Sequence, residues 1–151
     1  MSKLQAFWVH GTSVQMEREG YFISKRRAGY GAVFQSHGKE WFHFAIPTPV
    51  LLDSVRSSLN KVFVLYKTSG TSIITNVHIY DGAKKIHSFD GLRDFNGDHS
   101  QIIGEKNKWV LPHSIEVKFG IGISVQVDFG PPTKNGVPSI EFVTAGADFA
   151  N

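Results

Sequence analysis

The alternation of apolar and polar residues from Ile115 to Phe129 is the feature that most restricts how this chain folds. Every odd position in the stretch is apolar, namely Ile115, Val117, Phe119, Ile121, Ile123, Val125, Val127 and Phe129. Polar residues or glycine stand between them, so a β-strand here would bury one face and leave the other against water or backbone. Because the stretch is longer than most strands, we expect a bend or bulge at Gly120 and Gly122.

Shorter apolar segments bounded by turn residues predict further strands along the chain. They are "AFWVH", "TSVQME", "YFISK", "YGAVFQ", "KVFVLYKT", "SIITNVHIYD", "KKIHSFDG" and "SIEFVTAGADF". The 12 Phe and 15 Gly agree with this prediction, because Phe packs well in strands and Gly permits tight turns. One helical spacing, that of Leu51, Val55 and Leu59, predicts a short helix within "LLDSVRSSLNK".

Many short strands, each with one apolar face, are buried most simply as two sheets packed face to face. We therefore predict one domain, residues 1–151, with an all-β fold. The expected architecture is an antiparallel β-sandwich of jelly-roll or Greek-key type with about 9–10 strands, and a β-barrel is the alternative.

The composition excludes several classes of site and partner. The chain has no cysteine, so disulfides, thiolate metal sites and cysteine nucleophiles are ruled out. Neither a signal peptide nor a membrane-spanning apolar run is present, so we expect a soluble, cytoplasmic protein with no membrane partner. The net charge is only +3, and we interpret Lys25, Arg26 and Arg27 as a solvated turn, so no nucleic-acid partner is expected.

Three histidines lie two residues from an aromatic residue on the same face of a predicted strand. The pairs are His10 with Trp8, His43 with Trp41, and His78 with Tyr80. The opposite faces are more apolar, with Phe7 and Val9 in the first strand, Phe42, Phe44 and Ile46 in the second, and Ile73, Thr75, Val77 and Ile79 in the third. If the three strands are neighbours, the six paired residues form one patch.

The candidate ligand-binding residues are this patch and two residues from the longest irregular segment, Asp90 to Trp109, since long loops on a β scaffold often carry binding residues. The full set is Trp8, His10, Trp41, His43, His78, Tyr80, Asp98 and His99. The aromatic side chains of such a surface stack on a ligand while polar neighbours fix its orientation, as in carbohydrate-binding β-sandwiches. A carbohydrate or a protein is the expected partner.

Two other interpretations of the histidines stay open. In one, a divalent metal such as zinc is bound by His10, His43, His78, Asp81 and His99, and the protein is a metal-dependent hydrolase. In the other, the aromatic residues fill a second core or an interface in a homo-oligomer, and the imidazoles bond to backbone carbonyl groups. No nucleophile elbow, phosphate-binding loop or calcium loop is present, so no catalytic residue and no cofactor is predicted outside the metal alternative.

The blocks "WVHGTSV", "WFHFAIPTPV", "VHIYDG", "GDHS" and "GIGISV" are distributed over nearly the whole chain. Together they resemble a family of small, single-domain, all-β bacterial proteins with no established activity. The resemblance implies that His10, His43, His78 and His99, which fall inside the blocks, are required for structure or function. Since it implies no activity, we expect a non-catalytic binding or interaction module, with a lectin-like module and a metal-dependent hydrolase as alternatives.

Overall fold

The computed structural model describes residues 3–131 and 136–151. Within them it contains fourteen strands, and 3₁₀ turns at Gly11–Ser13 and Glu19–Tyr21. The strands are β1 (Leu4–His10), β2 (Gln15–Met16), β3 (Ser24–Ala28), β4 (Gly31–Gln35), β5 (Lys39–Ile46), β6 (Leu51–Leu52), β7 (Val55–Arg56), β8 (Ser58–Ser69), β9 (Ile73–Asp81), β10 (Lys84–Phe89), β11 (Asp98–His99), β12 (Lys108–Glu116), β13 (Ile121–Asp128) and β14 (Ser139–Ala150). Ten of these described strands have five or more residues, which agrees with the expected number. No helix of the described residues is long and apolar enough to span a lipid bilayer.

Two large antiparallel sheets account for most of the strands. The larger, seven-stranded sheet has the order β11-β8-β14-β4-β3, with β1 also paired to β14 and β12 also paired to β8. The smaller, five-stranded sheet has the order β10-β9-β13-β5-β2, and β6 and β7 form a separate hairpin. The predicted all-β antiparallel fold is confirmed.

The two sheets pack face to face through phenylalanine rings. Phe34 and Phe142 of the larger sheet meet Phe42 of the smaller sheet, with ring centroids 4.9 Å apart in both pairs. Phe44 of the smaller sheet lies 5.5 Å from Phe142, and all four side chains are buried. Burial of each ring stabilises the fold by roughly 1.5–3 kcal/mol. This shared core confirms the predicted sandwich, since the strands form separate sheets and not one closed barrel.

Strand β5 shows the inside-outside alternation that the sequence predicts. Phe42, Phe44 and Ile46 are buried in the core, whereas Trp41 and His43 lie on the outer face and are only partly covered. The strand ends at Ile46, directly before Pro47, because proline has no N–H to continue the ladder.

The prediction of one long strand from Ile115 to Phe129 is wrong. β12 ends at Glu116 in the larger sheet and β13 begins at Ile121 in the smaller sheet, so the chain crosses between sheets in the middle of the alternation. The carboxylate of Asp81 accepts the backbone N–H groups of Lys118, Phe119 and Gly120 at 2.8, 2.9 and 3.0 Å. These donors therefore have partners outside any ladder, and the side chain of Phe119 is 77% exposed instead of buried.

The predicted faces of β9 are correct for Val77 and Ile79 and wrong for Ile73. The pairing of β13 with β9 shifts between Gln126, opposite Asn76, and Val127, opposite Ile74. Thr75 is therefore the extra residue of a bulge, and a bulge exchanges the faces of the residues on its two sides. As a result Ile74 is fully buried, not Ile73.

Two local predictions are also corrected. The segment predicted as a helix forms the β6–β7 hairpin, because Asp53 and Ser54 adopt φ angles of 50° and 65°, as a two-residue hairpin turn with two left-handed positions requires. The basic residues Lys25, Arg26 and Arg27 lie on β3, at the edge of the larger sheet, and not in a turn.

Candidate functional site

The outer face of the smaller sheet carries a groove of about 530 Å³. Its lining comes from the outward-facing positions of four neighbouring strands and from the residue that follows β2. The lining residues are Glu17, Trp41, His43, His78, Tyr80, Lys85 and Ser124. The structure therefore brings together four of the predicted site residues, two from β5 and two from β9, although 35 positions separate His43 from His78 in the sequence.

Ser124 lies at the centre of the groove, between the two histidines. It stands on the central strand β13, where it is paired with His43 of β5 on one side and with His78 of β9 on the other. Directly opposed residues of an antiparallel pair share a face of the sheet, so the three side chains form one row across the strands. The ring of Trp41 packs against that of His78, with centroids 4.8 Å apart.

Both ring nitrogens of His43 have partners. Its Nδ1 lies 2.8 Å from Oγ of Ser124, and its Nε2 lies 3.0 Å from Oε1 of Glu17. Glu17 is placed there by its backbone N–H, which donates to the carbonyl oxygen of Trp41 at 3.1 Å. The imidazole is therefore fixed at both ends and cannot rotate without losing a hydrogen bond.

A second carboxylate is bonded to His78. The Oδ1 atom of Asp90 lies 2.8 Å from Nε2 of His78 and accepts the Nδ2–H of Asn76 at 2.6 Å. The hydrogen bonds from Asn76 and then His78 stabilise the ionised carboxylate and lower the pKa of Asp90 to about 2. Asp90 directly follows β10, so a loop residue orients an imidazole of the sheet.

Trp8 and His10 lie on the larger sheet, so the single patch expected for neighbouring strands does not form. Trp8 stacks on Phe63 at 4.9 Å and covers Gly146, where a Cβ atom would come within 2.4 Å of its ring. The Nδ1 of His10 accepts the backbone N–H of Thr12 at 3.1 Å and so caps the 3₁₀ turn that follows β1. The outer faces of two packed sheets point in opposite directions, and the sheets themselves are roughly 10 Å apart.

Asp98 and His99 are also remote from the groove, on β11 at the edge of the larger sheet. His99 bonds to the carbonyl oxygen of Asn96 through Nε2, and its ring lies 5.4 Å from that of Tyr66. Asp98 accepts hydrogen bonds from the hydroxyl and the backbone N–H of Ser100, which lower its pKa. These two residues stabilise the local turn.

The alternative set of metal ligands is not gathered in one place. His10 and His99 belong to the larger sheet, whereas His43 and His78 belong to the smaller one. The carboxylate of Asp81 is occupied by three backbone N–H groups; its burial would raise its pKa, but the hydrogen bonds outweigh burial and lower it. Within residues 3–131 and 136–151, no three His, Asp or Glu side chains lie close enough to hold a metal ion.

Five residues of the site were not predicted from the sequence, namely Glu17, Asn76, Lys85, Asp90 and Ser124. The alternation within a strand could have identified two of them. Asn76 lies two residues from His78 on the same face of its strand, and Ser124 is a polar residue between the apolar positions Ile123 and Val125. Glu17 and Asp90 could not be identified in this way, because their positions depend on tertiary contacts.

A model of a family of unknown function, DUF6623, matches residues 2–151. No curated protein matches the chain.

Solved structures that match include a crystal structure of exo-beta-1,3-galactanase from Phanerochaete chrysosporium with galactose, at 13% sequence identity and a TM-score of 0.40. The match covers 95% of this chain and 29% of the galactanase chain, so the chain spans less than a third of that protein's length. At this level the similarity carries no inference about ligand or activity.

Proposed function

Because the chain belongs to the family of unknown function DUF6623, which assigns it no activity, we propose from its own residues that it is a non-catalytic binding module with its ligand site in the groove of the smaller sheet. The observation that carries this proposal is the combination of Trp41 and Tyr80 with His43, His78 and Ser124 in one groove. Aromatic faces provide contact area there, and the polar side chains between them provide orientation.

The size of the groove fits a small ligand. A volume of about 530 Å³ falls within the range of typical small-molecule sites, roughly 300–1,000 Å³. A second depression of about 450 Å³ shares His43, Tyr80 and Ser124 with the groove and continues past Ala45 and Gly122. The small side chains there leave space along the strands, so a ligand longer than one ring can extend in that direction.

Carbohydrate is the ligand class that these groups fit best. A sugar ring has a C–H face, which packs on an aromatic ring, and hydroxyl groups, which need polar partners at fixed positions. Trp41, which packs against His78, offers the aromatic ring, and the His43–Ser124–His78 row offers the polar partners. This lectin-like role is the specific form of the proposal, and it requires no cofactor.

Ser124, His43 and Glu17 have the composition of a catalytic triad, but their surroundings favour binding. An acyl-transfer site needs N–H donors aimed at the developing oxyanion. Ser124 lies inside a central strand with partners on both sides, where backbone N–H groups are used by the ladder. No described contact favours the metal-dependent hydrolase either, since only His43 and His78 of its five residues line the groove.

The test compares two tryptophans on opposite faces of the sandwich. We expect a glycan array, followed by titration monitored by protein NMR, to detect a neutral oligosaccharide that binds the wild type. Trp41→Ala should weaken this binding at least about tenfold, which corresponds to about 1.4 kcal/mol. Trp8→Ala is the matched control and should bind like the wild type, because Trp8 lies on the larger sheet.

Equal losses in the two variants would contradict the assignment of the groove. If no glycan binds, and the wild type instead binds a protein or forms oligomers that Trp41→Ala disrupts, the groove is an interaction surface and the lectin-like form of the proposal is wrong.

A further inference from the structure

The row of His43, Ser124 and His78 offers a ligand hydrogen-bonding groups of one kind. We infer that they act as hydrogen-bond acceptors, so that the groove selects neutral sugars, whose hydroxyl groups donate, over sugars that carry a carboxylate. This inference rests on the proposed carbohydrate-binding function and specifies the class of ligand.

Asp90 determines which ring nitrogen of His78 carries the proton. An ionised carboxylate can only accept hydrogen bonds, so the 2.8 Å contact between Oδ1 of Asp90 and Nε2 of His78 requires the proton on Nε2. In a neutral imidazole the other nitrogen then carries a lone pair and no proton. No described residue donates a hydrogen bond to Nδ1 of His78, which leaves this acceptor for a ligand.

Glu17 determines, through His43, the direction in which the hydroxyl of Ser124 donates its hydrogen bond. The contact of 3.0 Å between the Glu17 carboxylate and Nε2 of His43 places the proton of His43 on Nε2, by the same reasoning. Nδ1 of His43 is then an acceptor, and the hydroxyl of Ser124, 2.8 Å away, donates its only hydrogen to it. The lone pairs of Ser124 Oγ remain, so this hydroxyl also accepts from a ligand.

Two of the three charged groups near the row act in the same direction. Glu17 lines the groove, and Asp90 adds a second carboxylate beside His78. Lys85 is the one cation among the described lining residues. A carboxylate on a ligand would meet lone pairs at Ser124 and His78 and two like charges nearby, whereas a hydroxyl would donate to the same atoms.

The first measurement needs no ligand. Two-bond ¹H–¹⁵N NMR spectra of the wild type at pH 7.5 report the tautomer of each histidine, with signals assigned by His43→Gln and His78→Gln. We expect both imidazoles to carry their proton on Nε2. A proton on Nδ1 of either ring overturns the inference and leaves the proposed function standing.

The second measurement compares matched sugars at 0.15 M salt. The probes are galactose and glucose oligosaccharides, each with its uronic acid counterpart. We expect the neutral member to bind at least tenfold more tightly, and equal or tighter binding of the uronate overturns the inference. If neither member of any pair binds, the proposed function fails, and the inferred selection fails with it.

A substitution of Glu17 can convert Ser124 from an acceptor into a donor toward the ligand. In Glu17→Gln the new amide can donate its NH₂ to Nε2 of His43, so that Nδ1 carries the proton and the hydroxyl of Ser124 turns toward the ligand as a donor. We expect the preference for the neutral sugar to fall at least threefold more than in Glu19→Gln, which removes an exposed carboxylate outside the groove. Equal falls in the two variants would assign the preference to net charge and overturn the inference.

Discussion

Asp90 holds two donors at once, the side chains of Asn76 and His78, and these are adjacent positions on the same face of β9. Its pKa of about 2 shows that the folded protein stabilises the carboxylate relative to an unfolded chain, where the ordinary value is 3.8. A carboxyl group with a lowered pKa contributes stability above its unfolded pKa and loses that contribution as the pH falls through the folded value. The relevant window is therefore between about pH 4 and pH 2.

We predict that Asp90→Asn reduces the acid sensitivity of the fold. The free energy of unfolding of the wild type should fall more steeply from pH 4 to pH 2 than that of the variant, because only the wild type must protonate Asp90. Urea unfolding at several pH values in this window measures the difference. Asp94→Asn, which removes an exposed carboxylate from the same loop, is the control, and an identical slope for Asp90→Asn and the wild type would contradict the prediction.

The sequence predicts the histidine–aromatic pairs of the site but not the partners of the histidines. Side-chain direction in a regular strand is local, so the sequence places His43 with Trp41 and His78 with Tyr80 correctly. The partners of these histidines are not local: Glu17 is 26 positions from His43, and Ser124 is 81 positions from it. The pairing of β13 with β5 brings Ser124 to His43, and the pairing of β2 with β5 brings Glu17 there. The alternation of faces within one strand contains no information about which strands pair.

Among the elements, the connection between β12 and β13 has the most consequence for the sandwich. It moves the chain from the larger sheet to the smaller one within four residues, 117–120. Three of the four backbone N–H groups of this connection donate to the carboxylate of Asp81, which is the last residue of β9. Asp81 therefore links the end of one strand of the smaller sheet to the start of its neighbour.

We predict that Asp81→Ala lowers the free energy of unfolding by about 3 kcal/mol, because it removes the acceptor of three N–H groups in a largely buried position. Chemical denaturation at pH 7 measures the change. Asp81→Asn is the control for the charge: it keeps one oxygen as an acceptor for Phe119 and Gly120, so its loss should be smaller. If Asp81→Ala is as stable as the wild type, the connection does not depend on this carboxylate.

This connection also explains why the strongest alternation in the sequence predicts one strand where the structure has two. The alternation itself is real, since Ile115 and Val117 pack against the same core as Ile121 and Ile123. Period two reports which side of a strand is apolar, but not which sheet the strand belongs to. The same limit applies to β9, where one extra residue, Thr75, exchanges the faces.

For the whole molecule, the edge of the larger sheet at β3 is a surface where another chain can add. β3 is its last strand, and an unpaired edge is a template for another chain. Lys25 and Arg27 are paired with Phe34 and Ala32, so these two charged side chains share the inner face of the sheet at its edge. Charges pointing inward at an edge oppose the addition of a further strand.

We therefore predict that Lys25→Ile promotes association. Sedimentation equilibrium at increasing protein concentration should give a higher average mass for the variant than for the wild type, because the edge would lose an inward charge and gain a β-branched apolar residue. Lys118→Ile, which makes the same exchange at an exposed position between β12 and β13, is the control. An equal increase in both variants would indicate nonspecific hydrophobic association.

The position of β14 between β8 on one side and β4 and β1 on the other has a consequence for biosynthesis. All strands of the smaller sheet precede Ser139, so a nascent chain can pair that sheet, groove included, while the larger sheet still lacks its middle strand. The central strand of the smaller sheet, β13, ends at Asp128 and β14 starts 11 residues later, a delay of roughly 0.6–2 s at about 5–20 residues per second. During that time the inner face of the smaller sheet, with Phe42 and Phe44, has no complete sheet to cover it. A chaperone that covers these apolar side chains on the ribosome would act in this interval.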